Sequence, residues 1–212
     1  MEDKDIQKTG TTTIGLVCKD GIVLAADKRA TAGYFIANKK VEKIIKITGD
    51  IAVTIAGTVS DIQLLAKLIK AELKLKELRT GKINTVKEAA NLLAGIVYQN
   101  IRKFSLIPGI THFIVGGKDT EGFHLYDLSP DGSITEIDDY VSSGSGSYLV
   151  YGLLEAEYKP GIKVEDATKL AVQGINSAIN RDIASGNGMD VYTITDKGVK
   201  KALTKKVDTN LK

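Results

Sequence analysis

The residues with the most distinctive chemistry lie near the start of the chain, in the run GTTTIG that begins at Gly10. The segment before Gly10 is charged and has no hydrophobic period, whereas the threonines after it begin a β-rich stretch. Cleavage between Gly10 and Thr11 would give Thr11 both a nucleophile, its hydroxyl, and a base, its own α-amine. An α-amine has a reference pKa of about 7.7–8.0, which suits a base at neutral pH. On this run alone, the alternative of an ordinary strand of β-branched residues stays open.

The other side chains that often carry chemistry lack the neighbours that a site needs. His112 and His124 lie in strand-like stretches without a Glu or His at metal-ligand spacing, which favours structural or surface roles. Cys18 ends an apolar run and is favoured as a small core residue. The run GSGS at 144–147 precedes a helical pattern and could hold an anion, but it lacks the lysine of a phosphate-binding loop. Metal, nucleotide and Ser-His-Asp chemistry each lack parts.

The elements that position these residues begin with a group of β-rich stretches. These cover residues 12–18, 22–26, 33–37, 43–48 and 51–56. Apolar residues at helical spacing then predict one helix over 61–78, with Ser60 as its N-cap, and a second over 86–104. Thr85 and Glu88 have the spacing of a capping box at the start of the second helix.

The second half of the chain repeats the order of strands followed by helices. Strands are predicted over 112–115, 123–128 and 134–137, helices over 148–157 and 164–183, and a closing hairpin over 191–195 and 199–203. Because most steps between strands are short, the sheets should be largely antiparallel and packed face to face, with helices on both outer faces. A parallel doubly wound sheet would need a helix after nearly every strand. The expected fold class is therefore α+β.

Composition restricts the class of protein further. The chain has 212 residues, of which 43% are hydrophobic and 26% charged, as expected of one sizeable folded domain. Its net charge of +3 is too small for a dedicated nucleic-acid binder. One cysteine excludes an intramolecular disulfide and fits a reducing compartment. No apolar run approaches the roughly 20 residues that span a membrane, and the first ten residues are polar, so a cytoplasmic location is expected.

Five stretches spread over nearly the whole chain carry a family resemblance. They are TGTTTIGLVCKDGIVLAADKRAT, NKKVEKIIKI, AVTIAGTVSD, SSGSGSYLVYGLLEAEY and AINRDIASGNGMDVYTIT. In this order they resemble the β subunits of archaeal proteasome core particles, within the N-terminal nucleophile hydrolases. The resemblance implies a four-layer helix-sheet-sheet-helix sandwich with two largely antiparallel sheets, which agrees with the pattern of elements. It also implies a threonine endopeptidase.

The resemblance assigns a role to each residue that matches the family's motifs. Residues 1–10 correspond to a propeptide that removes itself by cleavage after Gly10, and residues 11–212 to a single peptidase domain. Thr11 corresponds to the nucleophile, Lys43 to the catalytic lysine and Asp27 to its carboxylate partner. As a cation, Lys43 would keep the α-amine of Thr11 neutral, and Asp27 would keep Lys43 charged. Gly57 corresponds to the glycine whose backbone N–H forms the oxyanion hole.

Two further groups of residues follow from the same resemblance. Ser145, Asp182 and Ser185 correspond to the group that holds the threonine amine. The substrate-binding positions correspond to Ala30, Thr31, Val41, Ile45, Ile55, Gly57 and Val59. The pocket residues Ala30, Val41, Ile45, Ile55 and Val59 are apolar, so a chymotrypsin-like preference for cleavage after hydrophobic residues is expected. Glu42 could weakly favour a basic residue if its side chain turned inward.

The resemblance also implies partners. These are other β subunits in a seven-membered ring, proteasome α subunits, an ATPase regulatory complex and unfolded protein substrates, with no metal or organic cofactor, no nucleic acid and no membrane. Two alternatives remain open. One is the two-ring bacterial peptidase that works with a hexameric unfoldase, which the AVTIAGTVSD and GSGSYLVYGLLEAEY stretches fit less well. The other is a structural β subunit that does not cut, which the intact set of Thr11, Asp27 and Lys43 disfavours.

Overall fold

The computed structural model describes residues 10–106 and 108–207. The expected leader therefore lies outside the described residues except for Gly10. The strands are β1 Thr12–Cys18, β2 Gly21–Asp27, β3 Ala30–Ala32, β4 Phe35–Asn38, β5 Ile44–Lys46, β6 Ile51–Gly57, β7 Thr111–Asp119, β8 Gly122–Leu128, β9 Ile134–Glu136, β10 Tyr140–Gly144, β11 Gly188–Thr195 and β12 Gly198–Lys206. The helices are α1 Val59–Thr80, α2 Val86–Arg102, α3 Ser147–Glu157 and α4 Val164–Arg181.

Two five-stranded antiparallel sheets form the centre of the molecule. The first has the order β10-β1-β2-β11-β12 and the second the order β5-β6-β7-β8-β9, while β3 and β4 form a separate hairpin. Since adjacent strand residues point to opposite faces, each sheet contributes to two hydrophobic clusters. On β7, Phe113 and Val115 pack with residues of α1 and α2, whereas Ile114 packs with residues of both sheets.

The same alternation on β2 completes a four-layer arrangement. Val23 and Ala25 pack in a cluster with residues of α3 and α4, and Leu24 faces the second sheet. The layers are therefore α1 and α2, the second sheet, the first sheet, and α3 and α4. This confirms the predicted α+β helix-sheet-sheet-helix sandwich. No helix in the described part of the chain has the length and apolarity needed to cross a membrane.

Several local predictions differ from the structure. The stretch 33–37 is not one strand, because the chain turns at residues 33 and 34 between β3 and β4, and only residues 35–37 of the stretch belong to a strand, β4. Helix α1 begins at Val59 with Thr58 at the N-cap, so the prediction of Ser60 as the cap is wrong. Helix α2 ends at 102 rather than 104, and α4 at 181 rather than 183. The capping box of Thr85 and Glu88 is confirmed.

Candidate active site

The centre of the candidate site is Thr11, which directly precedes β1 and is 5% exposed. Strand β1 lies between β2 and β10, with Thr13 opposite Ala26 and Thr12 opposite Gly144. This pairing places Thr11 between the ends of two neighbouring strands. The Thr11 hydroxyl donates a hydrogen bond to the carbonyl oxygen of Gly10 at 2.8 Å. The hydroxyl therefore lies against the peptide bond at which the sequence predicts cleavage.

The buried carboxylate of Asp27, at the end of β2, holds several segments around Thr11 in place. Oδ1 of Asp27 accepts hydrogen bonds from Lys43 Nζ at 2.6 Å and from the backbone N–H of Thr12 at 3.0 Å. Oδ2 accepts from the backbone N–H groups of Arg29 at 2.9 Å and Gly186 at 3.0 Å. Four donors from four segments of the chain thus hold both oxygens of this carboxylate in place.

Lys43 lies immediately before β5 and is 3% exposed. Its Nζ is 3.4 Å from the Gly10 carbonyl oxygen, on which the Thr11 hydroxyl also converges. Burial lowers the pKa of Lys43, and the charge of Asp27 offsets part of that effect. An ammonium beside Thr11 would disfavour a second positive charge on a free α-amine there. The geometry therefore suits an amine that accepts a proton at neutral pH.

Gly57 ends β6 at the rim of the site and has a backbone conformation that other residues rarely adopt. Its φ is +122°, and a Cβ built on it would lie 2.1 Å from the carbonyl oxygen of Ile110. Any side chain at this position would therefore require the backbone to move. Gly57 lines the same cavity as Thr11, so its backbone is within the region where a substrate would bind.

Ser145, Asp182 and Ser185 form a hydrogen-bonded group on the other side of Thr11. Oδ2 of Asp182 accepts from Ser145 Oγ at 2.7 Å and from Ser185 Oγ at 2.6 Å. Ser145 Oγ lies 3.4 Å from the Thr11 carbonyl oxygen, and Ser185 Oγ lies 2.6 Å from Thr12 Oγ1. The structure thus brings together all three residues that the resemblance grouped, and it connects them to the start of β1.

Gly10 fits into a space that has no room for a side chain. A Cβ at Gly10 would lie 1.7 Å from the Ala184 Cβ and 3.1 Å from Ser145 Oγ. The Gly10 N–H donates to Thr31 Oγ1 at 3.0 Å. Thr31, which the resemblance places among the substrate-binding residues, therefore contacts the backbone of the segment before Thr11.

A cavity of about 260 Å³ opens beside Thr11. All five apolar residues predicted for the pocket line it, namely Ala30, Val41, Ile45, Ile55 and Val59. Glu42, Ile62 and Gln63 also contribute to the lining, and Thr31 is not part of it. Ile62 and Gln63 were not predicted as pocket residues, although they lie three and four residues after Val59, the spacing of neighbours on one face of a helix.

A second buried ion pair supports the site and was not predicted. Lys28 contacts Asp190 directly, and Thr204 Oγ1 donates to the other oxygen of Asp190 at 2.6 Å. Lys28 follows Asp27, so this pair fixes the end of β2 against β11. Asp190 lies between the apolar residues Met189 and Val191, but Lys28 lies between the charged residues Asp27 and Arg29, so the local sequence does not mark this pair.

The other residues considered from the sequence lie outside this site. His112 Nε2 is 2.6 Å from Asp127 Oδ1 and its Nδ1 is 2.8 Å from Ser143 Oγ, so it bridges the two sheets. Cys18 is buried in the core, as predicted, and burial raises the pKa of its thiol to about 12. Within 10–106 and 108–207, no group of three or more His, Cys, Asp or Glu side chains is placed to hold a metal ion.

Comparison with known proteins gives consistent similarities. A family model described as "Proteasome subunit" matches residues 7–194. The chain is 47% identical over 188 residues to Proteasome subunit beta of Ferroglobus placidus, which covers 89% of this chain and 88% of the relative. It is 47% identical over 191 residues to Proteasome subunit beta of Nanoarchaeum equitans, with 90% and 96% covered. It is 43% identical over 196 residues to Proteasome subunit beta 2 of Aeropyrum pernix, with 92% and 87% covered. The range matched by the family model includes every site residue from Gly10 to Ser185.

Proposed function

Because the chain belongs to the proteasome subunit family, we propose that it is a threonine endopeptidase whose nucleophile is Thr11. One observation carries the proposal: the Thr11 hydroxyl lies 2.8 Å from the Gly10 carbonyl oxygen, beside the buried Lys43–Asp27 pair. An N-terminal nucleophile needs its hydroxyl close to a group that activates it. The Thr11 hydroxyl and the Lys43 ammonium at the start of β1 have this arrangement.

The first step proposed is removal of the leader, residues 1–10. The Thr11 hydroxyl attacks the Gly10 carbonyl carbon, the Gly10–Thr11 peptide bond breaks, and the leader is left as an ester on Thr11. As this bond breaks, the proton of the hydroxyl passes to the departing nitrogen, which becomes the free α-amine of Thr11. Water then hydrolyses the ester, which releases the leader with a carboxyl group at Gly10 and restores the Thr11 hydroxyl. Residues 11–212 are then the mature peptidase domain.

The same groups carry out substrate cleavage. The free α-amine takes the proton of the Thr11 hydroxyl as the oxygen attacks a substrate carbonyl, and the backbone N–H of Gly57 stabilises the oxyanion. The amine of the leaving peptide receives the proton, an ester forms, and water assisted by the α-amine hydrolyses it. Ser145, Asp182 and Ser185 orient the amine. Lys43, held by Asp27, keeps the amine neutral.

The pocket supports a preference for hydrophobic residues before the cut. Its wall is largely apolar, so a Leu or Tyr side chain gains roughly 1.5–3 kcal/mol from burial, whereas an unpaired charge is penalised. The initial rates for peptides that end in Leu, Tyr or Arg before a fluorogenic group measure this preference.

We propose that the chain assembles as other proteasome β subunits do. We expect β subunits in seven-membered rings, α-subunit rings beside them and an ATPase that delivers unfolded proteins. The similarities to archaeal β subunits favour this assembly over the two-ring bacterial peptidase. The structural, non-cutting β subunit stays the second candidate, and the cytoplasmic location stays a prediction.

The deciding experiment is to express the chain with proteasome α subunits and to compare the parent with Thr11→Ala. The parent should lose the residues before Thr11, as measured by intact mass, and should hydrolyse a Leu peptide. The variant should assemble, keep its leader and lack activity. Release of the leader by pure Thr11→Ala particles would mean that another protease processes the chain. Assembled parent particles without activity would favour the structural subunit.

A further inference from the structure

Glu42 is an acidic residue in the wall of the otherwise largely apolar cavity beside Thr11. It lies between Val41 and Lys43, which line the same cavity. A carboxylate in this position could pair with a Lys or Arg side chain of a substrate. In that case the pocket would accept basic residues, contrary to the preference that its apolar residues favour.

The structure shows that this carboxylate already has a cationic partner. Oε1 of Glu42 accepts a hydrogen bond from Lys201 Nζ at 2.9 Å. Lys201 belongs to β12, at the edge of the first sheet, whereas Glu42 precedes β5 of the second sheet. A residue far away in sequence and in a different sheet therefore neutralises the acidic side chain of the pocket wall.

Further contacts hold Lys201 in this position. Its Nζ lies 5.3 Å from the centre of the Tyr192 ring and 3.9 Å from Asp190 Oδ1. Asp190 is fixed in turn by Lys28 and Thr204. The hydrogen bond to Glu42 raises the pKa of Lys201, so the lysine stays charged at neutral pH. The side chain of Lys201 is 35% exposed and that of Glu42 is 66% exposed, so the pair is accessible from solvent.

We infer that Lys201 is a specificity-determining residue that acts through Glu42. By pairing with the Glu42 carboxylate, Lys201 prevents this carboxylate from pairing with a basic side chain of the substrate. The inference rests on the proposed function and adds a residue outside the cavity to it. Lys201 is a positioning residue, since it lies on another element and contacts the pocket wall only through Glu42.

The test compares hydrolysis of two peptides that differ only in Arg or Leu before the cut, in particles assembled with α subunits. Lys201→Met should raise the ratio of kcat/KM for Arg to that for Leu by about fivefold, the effect of a single partly exposed charge pair. Lys201→Arg keeps a cation at this position and should leave the ratio near that of the parent. Lys200→Met removes the same charge from the adjacent, oppositely directed residue of β12 and should change neither rate.

A double variant distinguishes specificity from a general structural effect. In Lys201→Met/Glu42→Gln, the ratio should return to the parent value, because the carboxylate that would pair with arginine is gone. A ratio that stays raised in the double variant, or that does not rise in Lys201→Met while Leu hydrolysis continues, would overturn the inference and leave the proposed peptidase intact. No hydrolysis of either peptide by parent particles would contradict the peptidase, and with it the inference.

Discussion

At the scale of single residues, Lys43 connects the two steps of the proposed chemistry. Its Nζ contacts Asp27 at 2.6 Å and the Gly10 carbonyl oxygen at 3.4 Å from within a buried position. A compact ammonium can approach both oxygens because it donates in three directions, whereas a guanidinium is wide and planar. Both the charge and the size of this group therefore matter.

We predict that Lys43→Ala lowers kcat/KM by on the order of a thousandfold or more and that Lys43→Arg does not restore it. The measurement is hydrolysis of a Leu peptide by particles whose assembly has been checked by size exclusion. Lys46→Arg, on β5 three residues away, serves as the matched control. Turnover near the parent rate in Lys43→Arg would show that charge alone suffices.

Gly10 offers a second test, which concerns processing alone. We predict that Gly10→Ala slows removal of the leader strongly, because the added Cβ would lie 1.7 Å from the Ala184 Cβ and would displace the scissile carbonyl. Mass spectrometry over time after assembly measures the fraction processed. Gly49→Ala is the control, since a Cβ there has open space. Processing of Gly10→Ala at the parent rate would mean that residues 10 and 11 are arranged differently when cleavage occurs.

The sequence identified the residue types of the candidate site but not the pairs that support it. Thr11, Asp27 and Lys43 stand in recognisable motifs. In the structure Lys43 pairs with Asp27, and its Nζ and the Thr11 hydroxyl both reach the Gly10 carbonyl oxygen. The pairs Lys28–Asp190 and Lys201–Glu42 join segments about 160 residues apart. Their formation depends on how β11 aligns with β2 and on the bulge at Val191 and Tyr192, which no local pattern reveals.

At the scale of elements, helix caps show what local sequence can and cannot determine. The capping box at Thr85 was predicted and is present, with Thr85 Oγ1 accepting from Glu88 N at 3.1 Å and Glu88 Oε2 accepting from Thr85 N at 3.0 Å. Ser60 was predicted as a cap but lies inside α1, because the helix starts directly after β6. Ser60 Oγ only approaches the neighbouring Asp61 carboxylate, at 3.4 Å.

We therefore predict that Thr85→Ala lowers the free energy of unfolding by about 1 kcal/mol. Ser60→Ala should change it by less than about 0.5 kcal/mol, as expected of an exposed residue without a capping role. Urea unfolding of both variants beside the parent chain measures the difference. Equal losses in the two variants would contradict the assignment of the caps.

Strand β10 was the main element that the sequence reasoning missed. Its residues, YVSSG, have neither a strong apolar alternation nor high β-propensity at both serines. The strand exists because β1 supplies its partner, with Thr12 opposite Gly144 and Leu16 opposite Tyr140. Long stretches such as β2 and β7 were predicted because their own residues are largely apolar, which indicates a buried strand. The short edge strand β10 can be identified only from its pairing with β1.

At the scale of the whole molecule, the outer surface of α1 is suited to contact with other subunits. The helix buries Ile62, Leu65 and Ile69 against the second sheet. It also leaves several leucines exposed, namely Leu64, Leu68, Leu75 and Leu78. Apolar residues grouped on an outer face are typical of surfaces that contact another protein. The chain by itself is therefore an incomplete unit in the proposed assembly.

The proposed chemistry adds a second reason why the isolated chain should be inactive. While residues precede Thr11, its nitrogen belongs to a peptide bond and cannot serve as a base. We predict that the full-length chain made without α subunits shows no hydrolysis of a Leu peptide as long as it carries its leader. Size exclusion, followed by a peptidase assay and N-terminal sequencing of each fraction, measures this. A chain released from a fusion so that it begins at Thr11 is the control, since it separates the effect of the leader from that of assembly. Activity in a monomer fraction that still carries the residues before Thr11 would contradict the requirement for a free α-amine.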